Sequence, residues 1–302
     1  MTQIVNLFWF KKKGRFGNFG DELGPYIIHK LSGNEISHVP IPRTSIKLIL
    51  AYLKGLFTGI YKLDILNDVL KSLKLNGDYI ISVGSIIDWG SGKRIVWGSG
   101  ILFSRSKVDN GKFLAVRGHK TRDRLLELGY DCPEIFGDPA LLLPLVYSPR
   151  PATDKKHKLG LIPHHTQFCH FKKYEEKHDI KVINLIGDIE FIINEICSCE
   201  RIISSSLHGL IVPHSYGIPA LWYEYPLIEF RGEKVKYFDY FSSVGITDYK
   251  PFQLQEIDDF DIIKELENFE EFKSVSSINS QLSVIQKQLI DVAPFPVMKA
   301  FL

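Results

Sequence analysis

The sequence lacks the features typical of secreted, membrane-spanning and nucleic-acid-binding proteins. Its four cysteines, Cys132, Cys169, Cys197 and Cys199, form no Cys-x-x-Cys pair. We therefore expect free core thiols rather than a disulfide framework or a zinc site. No run approaches the roughly 18 apolar residues of a membrane span. The 37 basic and 35 acidic side chains leave a net charge of +2 with no long basic tract, which argues against nucleic-acid binding.

The first ten residues lack the basic and apolar regions of a signal peptide, so we expect a cytoplasmic protein. The segment Ser45–Lys74 is dense in leucine and aromatic residues with lysines interspersed. Two interpretations stay open for it. It forms either an interfacial helix in weak peripheral contact with the inner membrane face, or a helical pair packed on the first domain.

Hydrophobic residues make up 45% and charged residues 24% of the chain, as in ordinary globular proteins with a large core. Apolar runs alternate with helical patterns, which predicts an α/β fold with parallel sheets. The predicted strands are Ile4–Phe10, Tyr79–Val83, Arg94–Trp97, Phe113–Val116, Lys158–Ile162, Lys181–Ile186, Arg201–Ser204 and Ala220–Tyr223. The predicted helices include Asp21–Leu31, Leu63–Leu75, Lys120–Leu128, Ile189–Ser198 and Leu207–Tyr216.

A break at Tyr147–Lys158, with two prolines and several cations, indicates a linker. We therefore predict two doubly wound, Rossmann-like domains, residues 1–148 and 149–302, that face each other across a cleft. The final helices are expected to pack back on the first domain. Ligands of such sheets bind beyond the carboxyl ends of the strands, so the loops after strands are the candidate sites.

Three candidate sites lie in the first half. Gly17–Leu23 (GNFGDEL) follows the first strand and suits a phosphate or carboxylate at a helix N-terminus; alternatively it is a turn that Asp21 caps. Glycine turns at Tyr79–Ser85 and Trp97–Gly100 follow strands at a probable sheet edge, where glycine also serves close packing. Arg117 ends a strand and suits a carboxylate or phosphate in the cleft, whereas Asp138 is interpreted as a structural cap.

Three further candidates lie in the second half. His164 and His165 end a strand and should point to opposite sides, with one facing the cleft. In Arg201–Leu210 a strand runs into Ser204, Ser205 and Ser206 and then into a helix that carries His208 in its first turn. Hydroxyl and helix N–H groups there can bind an anion, and an imidazole can exchange protons; the alternative is a packed core histidine.

The segment Phe230–Tyr240 is interpreted as a basic and aromatic loop after Glu224. Arg231 and Lys234 would close over an anionic donor while the aromatic side chains stack on a sugar. The alternative is a solvated connecting segment.

Together these pieces resemble the polysaccharide pyruvyltransferase family from about Asn18 to about Gly245. The ordered matches are GNFGDEL, DYIISVG, WGSGI, VRGHKT, FGDPAL, GLIPH, ISSSLHG and YGIP, and Lys236–Gly245 is also similar. The resemblance implies two domains of the glycosyltransferase B type, phosphoenolpyruvate as co-substrate, a pyruvate ketal as product, and no obligatory metal or other cofactor. Some members carry an arginine directly before Leu-His-Gly, where this chain has Ser206. Arg117, Arg231 and Lys234 are the candidates to replace it.

The predicted activity is therefore pyruvyl transfer onto a sugar of a bacterial surface polysaccharide or its precursor, which is free or lipid-linked. His208 and Asp21 are the predicted catalytic residues. The predicted donor-binding residues are Arg117, Ser204, Ser205, Ser206, Gly209, His164, Arg231 and Lys234. The predicted acceptor-binding residues are Asn18, Gly20 and Glu224. Two other functions stay open: a nucleotide-sugar glycosyltransferase, which would release a nucleoside diphosphate, and a glycan-binding protein, which would transfer nothing.

Overall fold

A computed structural model of the 302-residue chain describes residues 3–11, 17–40, 77–90, 92–149, 156–172, 174–175, 180–225, 234–253 and 269–302. The predicted helix Leu63–Leu75, the rest of the segment Ser45–Lys74, and Arg231 lie outside the described residues. So do residues 150–155 of the predicted linker, and the boundary between residues 148 and 149 stays a prediction.

The first half forms a five-stranded sheet in which every pairing is parallel, in the order β2-β1-β3-β4-β5. Its strands are β1 (Ile4–Phe8), β2 (Glu35–His38), β3 (Tyr79–Ile81), β4 (Arg94–Trp97) and β5 (Lys112–Ala115). Helix α1 (Phe19–Ser32) follows β1, helix α2 (His119–Glu127) follows β5, and a 3-10 turn (Ile87–Trp89) follows β3. All these strands carry their carboxyl ends to one edge of the sheet, which is where α/β proteins bind ligands.

The second half forms another all-parallel sheet of five strands, in the order β10-β9-β8-β6-β7. The strands are β6 (His157–Ile162), β7 (Ile180–Val182), β8 (Cys199–Ser204), β9 (Ala220–Glu224) and β10 (Phe252–Gln253). The helices between Pro139 and the C-terminus are α3 (Leu143–Val146), α4 (Phe168–Phe171), α5 (Ile189–Cys197), α6 (His208–Ser215), α7 (Val235–Ser243) and α8 (Leu282–Asp291).

The predicted α/β class with parallel sheets is confirmed, and each predicted strand has a counterpart. β2 and β10 were not predicted, because a four-residue strand such as Glu-Ile-Ser-His carries little apolar signal. The glycine turns after β3 and β4 were expected at a sheet edge, and that was wrong. Both strands are interior, because β3 pairs with β1 and β4, and β4 pairs with β3 and β5.

The larger cluster of buried side chains is continuous from the first sheet to the second. A 3-10 turn at Pro139–Leu142, itself buried, packs against α1, α6 and α8 and so connects the two sheets. Helix α8 lies over the first half, where Trp97 Nε1 donates to the Leu289 carbonyl at 2.9 Å and Gln286 Nε2 donates to the Leu141 carbonyl at 2.8 Å.

Helix α1 of the first half also contacts the second half directly. The Phe19 N–H donates to the Leu185 carbonyl at 2.9 Å, and Tyr26 Oη and Lys30 Nζ both bind Glu190 Oε1, at 2.8 and 3.1 Å. These contacts hold the N-terminus of α1 against the loop after β7. They thereby place the Gly17–Leu23 motif at the junction of the sheets.

The segment interpreted as a basic and aromatic loop is instead helical from Val235 to Ser243. Two of its aromatic side chains are not available to a sugar, because Tyr237 stacks on the buried Trp222 with ring centroids 4.0 Å apart and Tyr240 is fully buried; Phe238 is 36% exposed. The expected core thiols are free, but Cys169 is exposed. None of the helices in the described part is long and apolar enough to cross a membrane.

Candidate active site

The start of α1 is shaped by Asn18 rather than by Asp21. Asn18 Oδ1 accepts a hydrogen bond from the Gly20 N–H at 3.1 Å and so caps the helix. The alternative interpretation of Asp21 as the cap is therefore wrong, since Asp21 lies in the first turn of the helix. Asn18 Nδ2 also lies 3.3 Å from His165 Nδ1 in the second half. Because Asn18 caps the helix, the Asp21 carboxylate is not used for capping.

His208 is the first residue of α6, as the sequence predicted, and its ring lies against the backbone of Gly20. A Cβ atom at Gly20 would come within 2.9 Å of two ring carbons of His208. On the same helix, Gly209 has no room for a side chain, because a Cβ atom there would lie 2.8 Å from Ile162 Cγ2. Gly20 and Gly209 thus allow close packing, so that His208 can lie directly against the start of α1.

The other side of the His208 ring faces a buried carboxylate. His208 Nε2 lies 3.7 Å from Asp138 Oδ2, and the Asp138 side chain is fully buried while that of His208 is 12% exposed. Among the described residues neither atom has a hydrogen-bond partner. Asp138 Oδ1 meanwhile accepts from the Ala140 N–H at 3.0 Å, so the predicted capping role of Asp138 is confirmed. A buried polar pair left unsatisfied in this way marks a place where a further group can bind.

Asp21, in the first turn of α1, interacts electrostatically with His208. Burial raises the pKa of the Asp21 carboxyl to about 6, against an opposing electrostatic effect of His208 and a reinforcing one of Glu22. A carboxyl with a pKa in this range can exchange a proton near neutral pH, which is what general acid–base chemistry requires. The structure therefore brings together Asp21, Asp138 and His208.

We expect Gly20→Ala to reduce activity strongly, although it removes no chemical group. The new methyl group would overlap the His208 ring and displace it from Asp138. The matched control is Gly24→Ala, one turn along α1, where the nearest atom to a new Cβ lies at 3.8 Å and alanine favours the helix. Activity and thermal unfolding of both variants check this. Equal activity of the two variants would contradict the position of the His208 ring against Gly20.

The three serines before His208 mainly hold the loop together. Ser204 Oγ donates to the Ile162 carbonyl at 2.8 Å and accepts from the Ser206 N–H at 2.9 Å. Ser205 Oγ donates to Gln167 Oε1 at 2.6 Å and accepts from the His164 N–H at 2.9 Å. Ser204 and Ser205 are fully buried and Ser206 is 8% exposed. These bonds join the loops after β6 and β8 and engage both hydroxyl groups, and the anion contacts of Ser204 and Ser205 stay a prediction.

His164 and His165 lie side by side, with ring centroids 4.3 Å apart. The expectation that they point to opposite sides was wrong, because β6 ends at Ile162 and strand alternation no longer applies beyond it. Burial lowers the pKa of His164 to about 3, helped by His165 and Lys236. His164 is therefore neutral at physiological pH.

Arg117, which was expected to project into the cleft, is paired inside the protein instead. Its side chain is fully buried and forms an ion pair with Asp239, with Nε and Nη2 both 2.9 Å from Oδ2. Nη1 donates to Ser85 Oγ at 2.6 Å and Nη2 to the Ile101 carbonyl at 2.8 Å. The guanidinium group thus ties α7 to the loops after β3 and β4. We assign Arg117 a positioning role instead of a direct contact with the donor.

A different cation, Lys236, was missed by the sequence analysis. It lies in the first turn of α7 with its Nζ 5.0 Å from the centroid of the Tyr237 ring, and it acts electrostatically on both Arg117 and His164. Burial, followed by the charge of Arg117, lowers the pKa of Lys236 to about 8. The only signal in the sequence was its place in the matched segment Lys236–Gly245.

The remaining predicted residues are Lys234, Glu224 and Arg231. Lys234 is 61% exposed and binds Glu224 Oε2 at 2.7 Å, so these two residues form an ion pair with each other. Arg231 lies outside the described residues. Within the described part no group of three or more His, Cys, Asp or Glu side chains is placed to bind a metal ion.

Comparison with known proteins gives the family. The family model "polysaccharide pyruvyl transferase" matches residues 18–226, which contain Asn18, Asp21, Arg117, Asp138 and His208. The chain is also 29% identical over 170 residues to an uncharacterised protein of Acanthamoeba polyphaga mimivirus, across 54% of this chain and 59% of that protein. No solved structure matches. Because the family model covers more than half of its length, this chain belongs to the polysaccharide pyruvyl transferase family.

Proposed function

We propose that this protein transfers a pyruvyl group from phosphoenolpyruvate to a sugar of a bacterial surface polysaccharide or its precursor and leaves it as a cyclic ketal. Family membership supports pyruvyl transfer to a polysaccharide in general. The observation that carries the specific proposal is the buried pair of His208 Nε2 and Asp138 Oδ2, 3.7 Å apart and beside Asp21. A histidine 3.7 Å from one carboxylate and in electrostatic interaction with a second is suited to a reaction with two proton transfers.

The donor is a small trianion, and its site should supply cations and hydrogen-bond donors. Lys236 and the neutral ring of His164 lie together where the loops after β6 and β8 meet α7. A lysine that is buried near Arg117 gains most from an anion, because the anion compensates both the burial and the repulsion. We propose that Lys236 and His164 bind the phosphate or carboxylate group of phosphoenolpyruvate, with Arg117 fixing α7 behind them.

The proposed reaction begins when protonated His208 delivers its proton to the methylene carbon of phosphoenolpyruvate, which becomes a methyl group. A sugar hydroxyl, which loses its proton to Asp21, attacks the resulting oxocarbenium-like carbon. The C–O bond to phosphate then breaks, and a second hydroxyl of the same sugar closes the ketal. Of the two hydroxyl protons, one replaces the proton spent on carbon and the other leaves on hydrogen phosphate. Asp138 orients His208 and stabilises its charged form.

We expect Lys236→Met to raise the KM for phosphoenolpyruvate by about ten- to a hundredfold, because a hydrogen bond to a charged group contributes about 1.5–3 kcal/mol. Lys236→Arg should restore part of the affinity. Lys234→Met is the matched control, since Lys234 is exposed and paired with Glu224. Initial rates at varied donor concentration measure the effect. If Lys234→Met raised the KM and Lys236→Met did not, the assignment of the donor cation would be reversed.

We also propose that the two parallel sheets belong to two Rossmann-like domains that face a cleft in the glycosyltransferase B arrangement. In support, the carboxyl ends of β1, β6 and β8 lead into Asn18, His164 and His208, which lie at the junction of the sheets. The same arrangement would serve a nucleotide-sugar glycosyltransferase. The released product separates the two functions: inorganic phosphate supports pyruvyl transfer, and a nucleoside diphosphate released from a nucleotide sugar would refute it.

A further inference from the structure

Two large aromatic side chains are exposed beside the candidate active site. Phe10 is 38% exposed and follows β1, while Trp89 is 48% exposed and ends the 3-10 turn after β3. Their rings meet edge to face, with centroids 4.9 Å apart and planes at 87°. Because β1 and β3 are parallel neighbours, both side chains lie at the carboxyl edge of the first sheet.

Trp89 is much more exposed than the other tryptophans of the chain. Trp9, Trp97 and Trp222 are at most 7% exposed, so Trp89 is the exposed one among the four. Phe8, which is buried, packs edge to face on Phe10 with centroids 5.5 Å apart. Phe10 thus contacts two neighbouring rings and is still 38% exposed, which leaves part of it accessible to a ligand.

A cavity of about 290 Å³ begins at Phe10. It is lined by Phe10, Lys11, Asn18, Asp21, His165 and Ile186. The lining therefore combines an aromatic ring with a carboxylate, an amide, an imidazole and the side chains of Lys11 and Ile186. This volume lies at the lower limit of small-molecule sites and suits one sugar ring rather than an oligosaccharide.

The chemistry of the lining matches that of a pyranose. The apolar C–H face of a sugar packs on an aromatic ring, and its hydroxyl groups donate to and accept from amide and carboxylate groups. Asp21 belongs both to this cavity and to the cluster around His208. A hydroxyl bound at Asp21 would therefore lie beside the reacting group of the donor.

We propose that this cavity binds the acceptor pyranose, with Phe10 as the stacking surface, Asn18 and Asp21 as the hydroxyl ligands, and Trp89 as the side chain that supports Phe10. This inference rests on the proposed function, which supplies the reaction. It adds a binding site for the acceptor, with Phe10 and Asp21 after the first strand of the first sheet. It also replaces the sequence-based expectation that aromatic side chains of Phe230–Tyr240 stack on the sugar.

The test uses the full chain and a panel of methyl hexopyranosides with free 4- and 6-hydroxyl groups. For a glycoside that is pyruvylated, Phe10→Ala should raise the acceptor KM about tenfold and leave the KM for phosphoenolpyruvate unchanged. Phe10→Trp should keep the wild-type value because it retains a stacking ring. Phe191→Ala, which removes a 61% exposed aromatic from α5, is the matched control. An unchanged acceptor KM in Phe10→Ala would overturn the proposal while leaving pyruvyl transfer intact.

A second measurement needs no donor. Trp89 should dominate the quenching of tryptophan fluorescence by acrylamide, and a bound glycoside should protect it; Trp89→Phe should abolish that difference. Protection without transfer from phosphoenolpyruvate would support the sugar site and refute the proposed donor. Absence of protection by every glycoside that the enzyme pyruvylates would refute the sugar site alone.

Discussion

Replacing His208 with alanine is expected to lower kcat for pyruvyl transfer by about 10²–10⁴-fold, the usual contribution of a positioned acid–base group. The ring lies between Gly20 and Asp138 and makes no hydrogen bond within the described part of the chain, so its removal leaves the fold in place. The KM for phosphoenolpyruvate should change little, because the proposed donor site consists of Lys236 and His164. Steady-state kinetics and circular dichroism of the purified variant measure both effects.

The matched control is His170→Ala, which removes an exposed histidine of α4. It should retain wild-type kinetics. A His208→Ala variant that is folded and turns over at a near-normal rate would remove His208 from the reaction. A loss of activity with an equal loss of helical signal would instead show that the ring is a packing residue.

Arg117→Ala is expected to lower the free energy of unfolding by about 3–5 kcal/mol, because it leaves the Asp239 carboxylate buried without its cation. Both side chains are fully buried, and Asp239 also accepts from the Thr121 N–H at 2.8 Å and from Thr121 Oγ1 at 2.7 Å. A Cβ atom at Gly100 would collide with the guanidinium group, so the packing around the pair is tight. Urea denaturation followed by fluorescence measures the change.

Two controls separate the charge from the packing. Lys30→Ala breaks an ion pair whose side chains are each 40% exposed, and it should cost less than about 1 kcal/mol. The double variant Arg117→Met with Asp239→Leu removes both charges and should recover much of the stability lost in Arg117→Ala. Stability of Arg117→Ala within 1 kcal/mol of wild type, combined with a raised donor KM, would return Arg117 to the donor site.

Much of the fold could be predicted from the sequence because the strands are short, apolar and bounded by turns. The positions of His208 at the start of α6 and of Gly20 at the start of α1 also followed from local pattern. The predictions that failed concern side chains whose partners are distant in the sequence. Nothing in the local sequence indicates that Asp239 would neutralise Arg117, 122 residues away, or that the second oxygen of Asp138 would face His208.

The choice of Lys234 rather than Lys236 as a donor-binding residue has the same explanation. Lys234 and Lys236 are two residues apart, and charge pattern alone does not separate them. Lys234 is the N-cap residue of α7 and binds Glu224, whereas Lys236, in the first turn of the helix, interacts electrostatically with Arg117 and His164. A loop interpretation of this segment does not contain the helical geometry that distinguishes the two lysines.

Mass analysis of the products shows whether pyruvate moves from phosphoenolpyruvate to a sugar. Wild-type protein is incubated with phosphoenolpyruvate and the glycoside panel, next to His208→Ala and a reaction without donor. Pyruvyl transfer should give a glycoside heavier by one pyruvate less one water, with release of one equivalent of inorganic phosphate, in the wild-type reaction alone. A panel of acceptors left unmodified while a nucleotide sugar is consumed would contradict it.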